Sequence, residues 1–276
     1  MSQDVFLVLG AMGKTGRRVA ARLRAAGKTV RAASRSSEVR FDWADPAAWD
    51  DAVDGVSAVY VIAPEVPGPA HEFVPRAVAA GVRRFVLLSG RGADTWGDSP
   101  FGLDVRSAEE AVRASGVEWS ILRPTNFSQN FDEGFFYAPI MAGELALPGR
   151  GIVEPFIDVD DIADVAVALL TEPGHAGRTY ELSGPRGLTF GEATVEIARA
   201  SGRPVRYVEL SPEEFVAALV AQGFSPEAAR YGREMFDLMR RGVTAEVTDD
   251  VHRVLGRPPR DFASYAARAA AAGAWR

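Results

Sequence analysis

The sequence predicts an α/β protein: a doubly wound parallel sheet followed by a smaller C-terminal α/β lobe. Three observations predict it. Short runs of Val, Ile, Leu and Phe alternate with alanine-rich stretches of helical character, and the first such run feeds a glycine-rich turn and then a helix. After Pro124 the alternation breaks into a segment rich in Asn, Phe and Gly, so the remainder reads as a separate lobe.

The strands expected in the sheet are Val5–Leu9, Thr29–Ala33, Ala58–Ala63, Phe85–Leu88 and Trp119–Leu122. Continuous apolar runs of this kind suit strands buried on both faces. Helices fit Arg17–Ala26, Pro46–Val53, Glu72–Ala80 and Ser107–Ser115, with Gly81 and Gly116 placed where a helix stops. Strict alternation of strand and helix implies parallel pairing with right-handed crossovers. Beyond the irregular stretch from Asn126 to Gly151, Ile157-Asp158-Val159-Asp160-Asp161 leads into a helix at Ile162–Leu170 whose acidic first turn favours the positive end of the helix dipole. Further strands are expected at Thr179–Leu182 and Val205–Glu209, and helices at Phe190–Ala200, Pro212–Gln222, Pro226–Arg240 and the alanine-heavy Ala266–Gly273. The expected division is residues 1–150 as the nucleotide-binding domain, with 151–172 returning to its core, and 173–276 as the smaller substrate or regulatory lobe.

Composition narrows the function. The 276 residues are 47% hydrophobic and 25% charged, enough to bury a large core. Cysteine is absent, which removes disulfides and thiolate metal sites, and His71, His175 and His252 are too scattered to suggest a metal cluster. A net charge of −6 argues against nucleic acid as a partner, because that affinity comes largely from Lys and Arg neutralising phosphates. There is no basic leader and no apolar run long enough to span a bilayer, so a soluble cytoplasmic protein without a membrane partner is expected.

The strongest local signal is Val8-Leu9-Gly10-Ala11-Met12-Gly13-Lys14-Thr15-Gly16, a G-x-x-G-x-x-G spacing between the first strand and the first helix. Gly10 permits the tight turn, Gly13 lets the backbone approach a pyrophosphate, and Gly16 lets the helix pack closely on the strand. The helix N-terminus offers N–H groups and a positive dipole end to phosphates. This is the pattern of a Rossmann-type dinucleotide site, with Gly10, Met12, Gly13, Lys14, Thr15 and Gly16 at the cofactor. The end of the second strand reads Ala33-Ser34-Arg35-Ser36-Ser37 where an NAD enzyme would place an acid. Ser34 and Arg35 can instead hold a 2′-phosphate by charge-assisted hydrogen bonds, with Lys14 and Arg17 adding to the field, so NADP(H) is expected over NAD(H).

Further motifs extend the pattern: Phe41-Asp42-Trp43; Val61-Ile62-Ala63-Pro64; Phe85-Val86-Leu87-Leu88-Ser89-Gly90; the run from Ser115 through Arg123-Pro124-Thr125-Asn126-Phe127; and Phe156-Ile157-Asp158-Val159-Asp160-Asp161-Ile162-Ala163. With the glycine turn they resemble the NmrA-like branch of the atypical short-chain dehydrogenases over nearly the whole chain. The resemblance implies that Asp42 holds the adenine amino group, that Ile62, Ala63 and Pro64 line the cofactor, that Ser89 and Gly90 sit close to the nicotinamide, and that Pro124, Thr125 and Asn126 close its far side. It also implies a departure. Standard members carry Tyr-x-x-x-Lys ahead of a glutamate; anchored on Glu109, those positions here are Phe101 and Val105, and neither can transfer a proton.

Two functions survive that loss. The first is an NADPH-dependent reductase acting on an acceptor that needs little proton donation, such as a quinone, an imine or iminium, or an activated enone. Ser89, Phe101, Phe127, Asn130, Phe136 and Tyr137 are then the expected contacts to a flat, apolar small molecule, with Tyr137 the one candidate replacement acid. The second is a non-catalytic NADP(H)-sensing regulator. A hydrolase built on Ser89, Asp94 or Asp98 has no nucleophile elbow or partnered histidine behind it. A homodimer is left open.

Overall fold

A computed structural model describes residues 4–96 and 99–276, apart from the side chains of Pro100 and Phe101. The chain opens with strand β1 (Val5–Leu9), helix α1 (Lys14–Ala25), β2 (Thr29–Ser34) and β3 (Val39–Arg40). A 3-10 turn at Pro46–Ala48 leads into α2 (Trp49–Val53), followed by β4 (Ala58–Ile62), α3 (Pro69–Ala79), β5 (Arg84–Leu88), α4 (Pro100–Arg113) and β6 (Glu118–Pro124). Then come α5 (Asn130–Glu133), α6 (Tyr137–Met141), β7 (Glu144–Leu147), α7 (Val159–Thr171), β8 (Arg178–Leu182), α8 (Phe190–Ser201) and β9 (Arg206–Glu209). The last helices are α9 (Pro212–Ala221), α10 (Pro226–Arg240), α11 (Asp250–Leu255) and α12 (Phe262–Ala271).

Seven strands form one sheet in the order β3-β2-β1-β4-β5-β6-β8, every pair parallel. The order reverses between β1 and β4, the switch point at which open α/β sheets bind ligands outside the carboxyl ends of their strands. Leu7, Leu9, Val59, Val61, Phe85 and Leu87 face one core layer, where Trp49, Phe73 and Phe41 pack. On the other layer α1 lies against α7, and Arg22 bridges to Asp160 at 2.7 Å and Asp164 at 2.5 Å.

The chain divides into two compact units that interleave along the sequence: Met1–Pro124, Val159–Leu182 and Asp250–Arg257 in the first, Thr125–Asp158, Ser183–Asp249 and Pro258–Arg276 in the second. These bounds differ from breaks at 150 and 172. The sheet supplies the reason: β8 pairs along β6, which carries the chain past residue 172 in the first unit, and Asp250 in α11 accepts the Glu181 backbone N–H at 2.8 Å. The second unit is built on Phe131, Phe156, Phe190 and Phe262, whose rings meet at 5.3–5.5 Å for the Phe131–Phe156, Phe131–Phe262 and Phe156–Phe190 and Phe156–Phe262 pairs. Its β7 and β9 form a separate two-stranded parallel sheet. So the strand expected at Val205–Glu209 exists, with a partner inside the stretch read as irregular. That stretch also holds α5 and α6, elements of four and five residues, too short to display a helical period. No described helix is long and apolar enough to cross a membrane.

Candidate functional site

The glycine turn sits at the carboxyl end of β1, beside the switch point. Gly10 adopts φ +62, a left-handed conformation that side chains disfavour, and a Cβ there would come within 2.9 Å of the Ile62 side chain on β4. The turn is closed by the Gly13 N–H donating to the Gly10 carbonyl at 2.8 Å and tied to β2 by the Ala11 N–H donating to Ala33 at 3.1 Å. A Cβ on Gly16 would lie 2.3 Å from the Gly10 carbonyl oxygen, so only glycine lets the helix come this close. Gly13 caps α1 with no side-chain hydrogen bond, and the first turn holds no acidic residue. Helix geometry leaves the N–H groups of that turn without intrahelical acceptors, and no carboxylate competes for them. These residues fit a dinucleotide's diphosphate. Met12 is exposed at the surface of the turn, Lys14 half-buried, and Thr15 buried.

The other expected cofactor residues of the first unit fall along the same carboxyl edge. Ser34 ends β2, with its Oγ 2.6 Å from that of Ser37 and accepting the Ser36 N–H at 3.2 Å; the hydroxyls are held in a polar loop beside the exposed Arg35. Asp42 Oδ1 accepts the Ala44 N–H at 3.0 Å, so one of its oxygens already caps its own turn. Ile62 and Ala63 are half-buried at the end of β4, and Pro64 is buried. Ser89 follows β5 and donates its N–H to Leu122 at 2.8 Å, while Arg91 does the same to Pro124 at 2.9 Å, which sets Gly90 beside the end of β6. A Cβ on Gly90 would meet the Trp96 ring at 2.9 Å.

A charged network lies under this edge that the motifs did not announce. Arg123, buried at the end of β6, donates to Glu109 of α4 through Nε at 2.8 Å and Nη2 at 2.7 Å, and its Nη1 reaches Asp94 at 2.7 Å and Glu181 at 3.2 Å. Arg91 lies 3.3 Å from Glu181, and Arg113 lies 3.3 Å from Glu109. Ser89 Oγ donates to Glu109 Oε1 at 2.6 Å. Burial by itself would raise the Glu109 carboxyl, but the hydrogen bonds from Arg123 and Ser89 and the Arg123 charge outweigh it and hold Glu109 below the usual carboxylate range. The signal available in the sequence was Arg123 itself, a cation closing an apolar strand and therefore in need of buried acids.

The second unit holds the rest. Asn126 gives its backbone N–H to the wholly buried Glu154 at 3.1 Å, and its amide nitrogen lies 3.7 Å from Met239 Sδ. Phe127 is half-buried and Asn130 half-buried at the start of α5. Phe136, expected at the substrate, is instead packed in the aromatic core, 5.0 Å from Phe131 and 5.6 Å from Phe190. An aromatic flanked by Phe135 and Tyr137 has to turn one ring inward, and the inward ring is Phe136; Phe135 is 79% exposed and Tyr137 38%. Phe101 lies in the first turn of α4, and its side chain falls outside the described residues; Val105 is half-buried on the same helix. The phenols of Tyr60 and Tyr265 are enclosed, and burial pushes both well above their usual range.

The family described as NAD(P)H-binding matches residues 10–173. The chain belongs to that family. It is 37% identical to the (4-alkanoyl-5-oxo-2,5-dihydrofuran-3-yl)methyl phosphate reductase of Streptomyces griseus, covering 97% of this chain and 99% of that one. It is 33% identical to the NAD(P)H azoreductase of Xenophilus azovorans, over 98% of this chain and 100% of the relative. Among solved structures, the triphenylmethane reductase of Citrobacter sp. complexed with NADP(H) superposes with a TM-score of 0.80 at 22% identity, covering 97% and 99% of the two chains, a likeness of fold. The resemblance to atypical short-chain dehydrogenases of NmrA type agrees with these relatives.

Proposed function

We propose that this protein is an NADPH-dependent reductase that passes hydride to an activated acceptor, a quinone, an imine or iminium, or an enone, without a tyrosine–lysine pair. One observation carries the reading. The glycine turn is closed so tightly that Gly16 admits no side chain, and it presents an uncapped, acid-free helix start at the switch point of the sheet, in a chain two of whose near-full-length relatives are named reductases. When bound there, the reduced nicotinamide supplies the hydride. The chain's own part is to hold the diphosphate on α1, to grip a 2′-phosphate through Ser34 and Arg35, and to set Ser89 and Gly90 beside the reacting ring. An acceptor whose product anion is stabilised by conjugation, or whose electrophile is already cationic, needs no proton at the moment of transfer, which suits a helix α4 with Phe101 and Val105 at the positions implied for tyrosine and lysine.

The test is a titration with NADPH and NADH on wild type and Arg35→Ala, followed by NADPH consumption against a panel of quinones, cyclic imines and enones. The expected result is tighter NADPH binding, lost in the variant by about 1.5–3 kcal/mol, the range for a hydrogen bond to a charged group, and turnover of at least one class. Equal affinity for the two coenzymes overturns the role of Arg35. Tight NADPH binding with no turnover overturns the reductase and leaves the sensor.

A further inference from the structure

The hydrogen-bond direction at Ser89 carries a consequence for substrate choice. A serine hydroxyl has one proton and two lone pairs. Here the proton is committed: Ser89 Oγ donates to Glu109 Oε1 at 2.6 Å, and Glu109 is an acceptor only, kept ionised by the two-pronged grip of Arg123 and by Arg113. The nearby charges offset one another, with Glu109, Asp94 and Glu181 set against Arg91, Arg113 and Arg123, so nothing in the network reverses that proton. Ser89 keeps 8% exposure at the carboxyl end of β5, near the switch point. With its proton on Glu109, the hydroxyl has only lone pairs left to offer a partner.

We propose that Ser89 is a specificity determinant that accepts a hydrogen bond from the acceptor molecule, so that the protein selects secondary iminium and protonated imine substrates, which carry N–H, over quinones and other bare carbonyls. The proposal rests on the reductase reading above. In the reduction it favours, a hydride from the reduced nicotinamide forms a C–H bond at the iminium carbon, the C=N π pair settles on nitrogen as a lone pair, and the N–H stays where it was. No proton is consumed, which accords with the lack of a proton donor. A quinone oxygen would gain negative charge facing the Ser89 lone pair, with no hydrogen to receive it.

The kinetic form of the effect follows from charge. The nitrogen is most positive before hydride arrives, so its N–H donates most strongly in the bound ground state and less in the transition state. Loss of the Ser89 contact therefore raises KM and does not lower kcat.

The experiment compares wild type, Ser89→Ala and Ser89→Thr with three acceptors: a cyclic secondary iminium, its N-methyl counterpart, which is a cation of similar shape without N–H, and a benzoquinone. In parallel, calorimetry without turnover measures binding of the saturated secondary ammonium and of its N,N-dimethylated counterpart. Loss of a hydrogen bond from a charged donor predicts a rise of about 10- to 100-fold in KM for the N–H iminium in Ser89→Ala, and a matching loss of ammonium affinity. The rise should be clearly smaller for the N-methyl iminium and the quinone, kcat for the N–H iminium should not fall, and Ser89→Thr, which keeps the hydroxyl, should restore the N–H substrate. Equal effects on all three acceptors, a loss confined to kcat, or unchanged ammonium binding overturns the proposal. If the wild type turns over none of the three, the reductase reading fails, and ammonium binding still judges Ser89.

Discussion

Arg123 and Glu109 form a pair in which each side chain is nearly enclosed, 7% and 5% exposed, so neither charge has water to fall back on. Removing one partner from such a pair costs about 3–5 kcal/mol, because the other charge is left stranded. Glu109→Gln should fall near the lower end, since Arg123 keeps Asp94 and Glu181, and urea denaturation at neutral pH measures it. The pH dependence has a definite sign. A carboxyl whose folded pKa is depressed contributes stability that is complete above its unfolded value and is lost as pH falls through the folded one. The wild type should therefore lose stability faster than Glu109→Gln below about pH 4.3, the ordinary glutamate range; parallel acid-denaturation curves would refute the assignment. At this scale the sequence is legible only where neighbours in the chain make the chemistry. Gly10, Gly13 and Gly16 act within one turn and their spacing declares them. Ser89 and Arg123 meet Glu109 from 20 and 14 residues away on different elements, so nothing local records the contact.

At the scale of elements, α1 and β1 depend on a single missing side chain. Gly16→Ala would place a methyl 2.3 Å from the Gly10 carbonyl oxygen, and backbone has to move to admit it. Overpacking of this kind costs about 1–3 kcal/mol. Because the displaced backbone is the turn proposed to hold the diphosphate, NADPH affinity should drop with it. Thermal unfolding together with a binding titration checks both, and a variant that keeps full NADPH affinity would refute the account. Element positions were readable from apolar runs, but starts were less so. Helices α3 and α4 begin at Pro69 and Pro100, earlier than their apolar periodicity suggested, because proline is at home in a first helical turn, where its missing N–H costs nothing. Phe136 shows the complementary limit: an aromatic-rich segment reveals that rings are needed, and only packing decides which of them face inward.

At the scale of the whole chain, the first unit is closed by a segment that returns late. Arg257, 36% exposed, reaches Asp161 at 2.8 Å and Asp164 at 2.6 Å on α7, and Asp161 is fully buried. Arg257→Ala should destabilise the first unit by about 2–3 kcal/mol, less than a fully enclosed pair because water still screens the guanidinium. The check is hydrogen exchange in α7 and β8, where protection should fall; loss confined to residues 183–249 would contradict it. Overall architecture was the most legible level, since strand–helix alternation and the glycine turn dictate a parallel doubly wound sheet. The bounds of the two units were the least, because β-pairing between β6 and β8 and the return of α11 join stretches far apart in the chain.

That threading bears on how the protein is made. Asp250–Arg257 finish the first unit but lie beyond nearly all of the second, so during synthesis the ribosome delivers the last piece of the sheet-bearing unit only after residues 183–249 have emerged. The nascent chain cannot complete one unit before starting the other, and final consolidation of both waits for the closing stretch of translation.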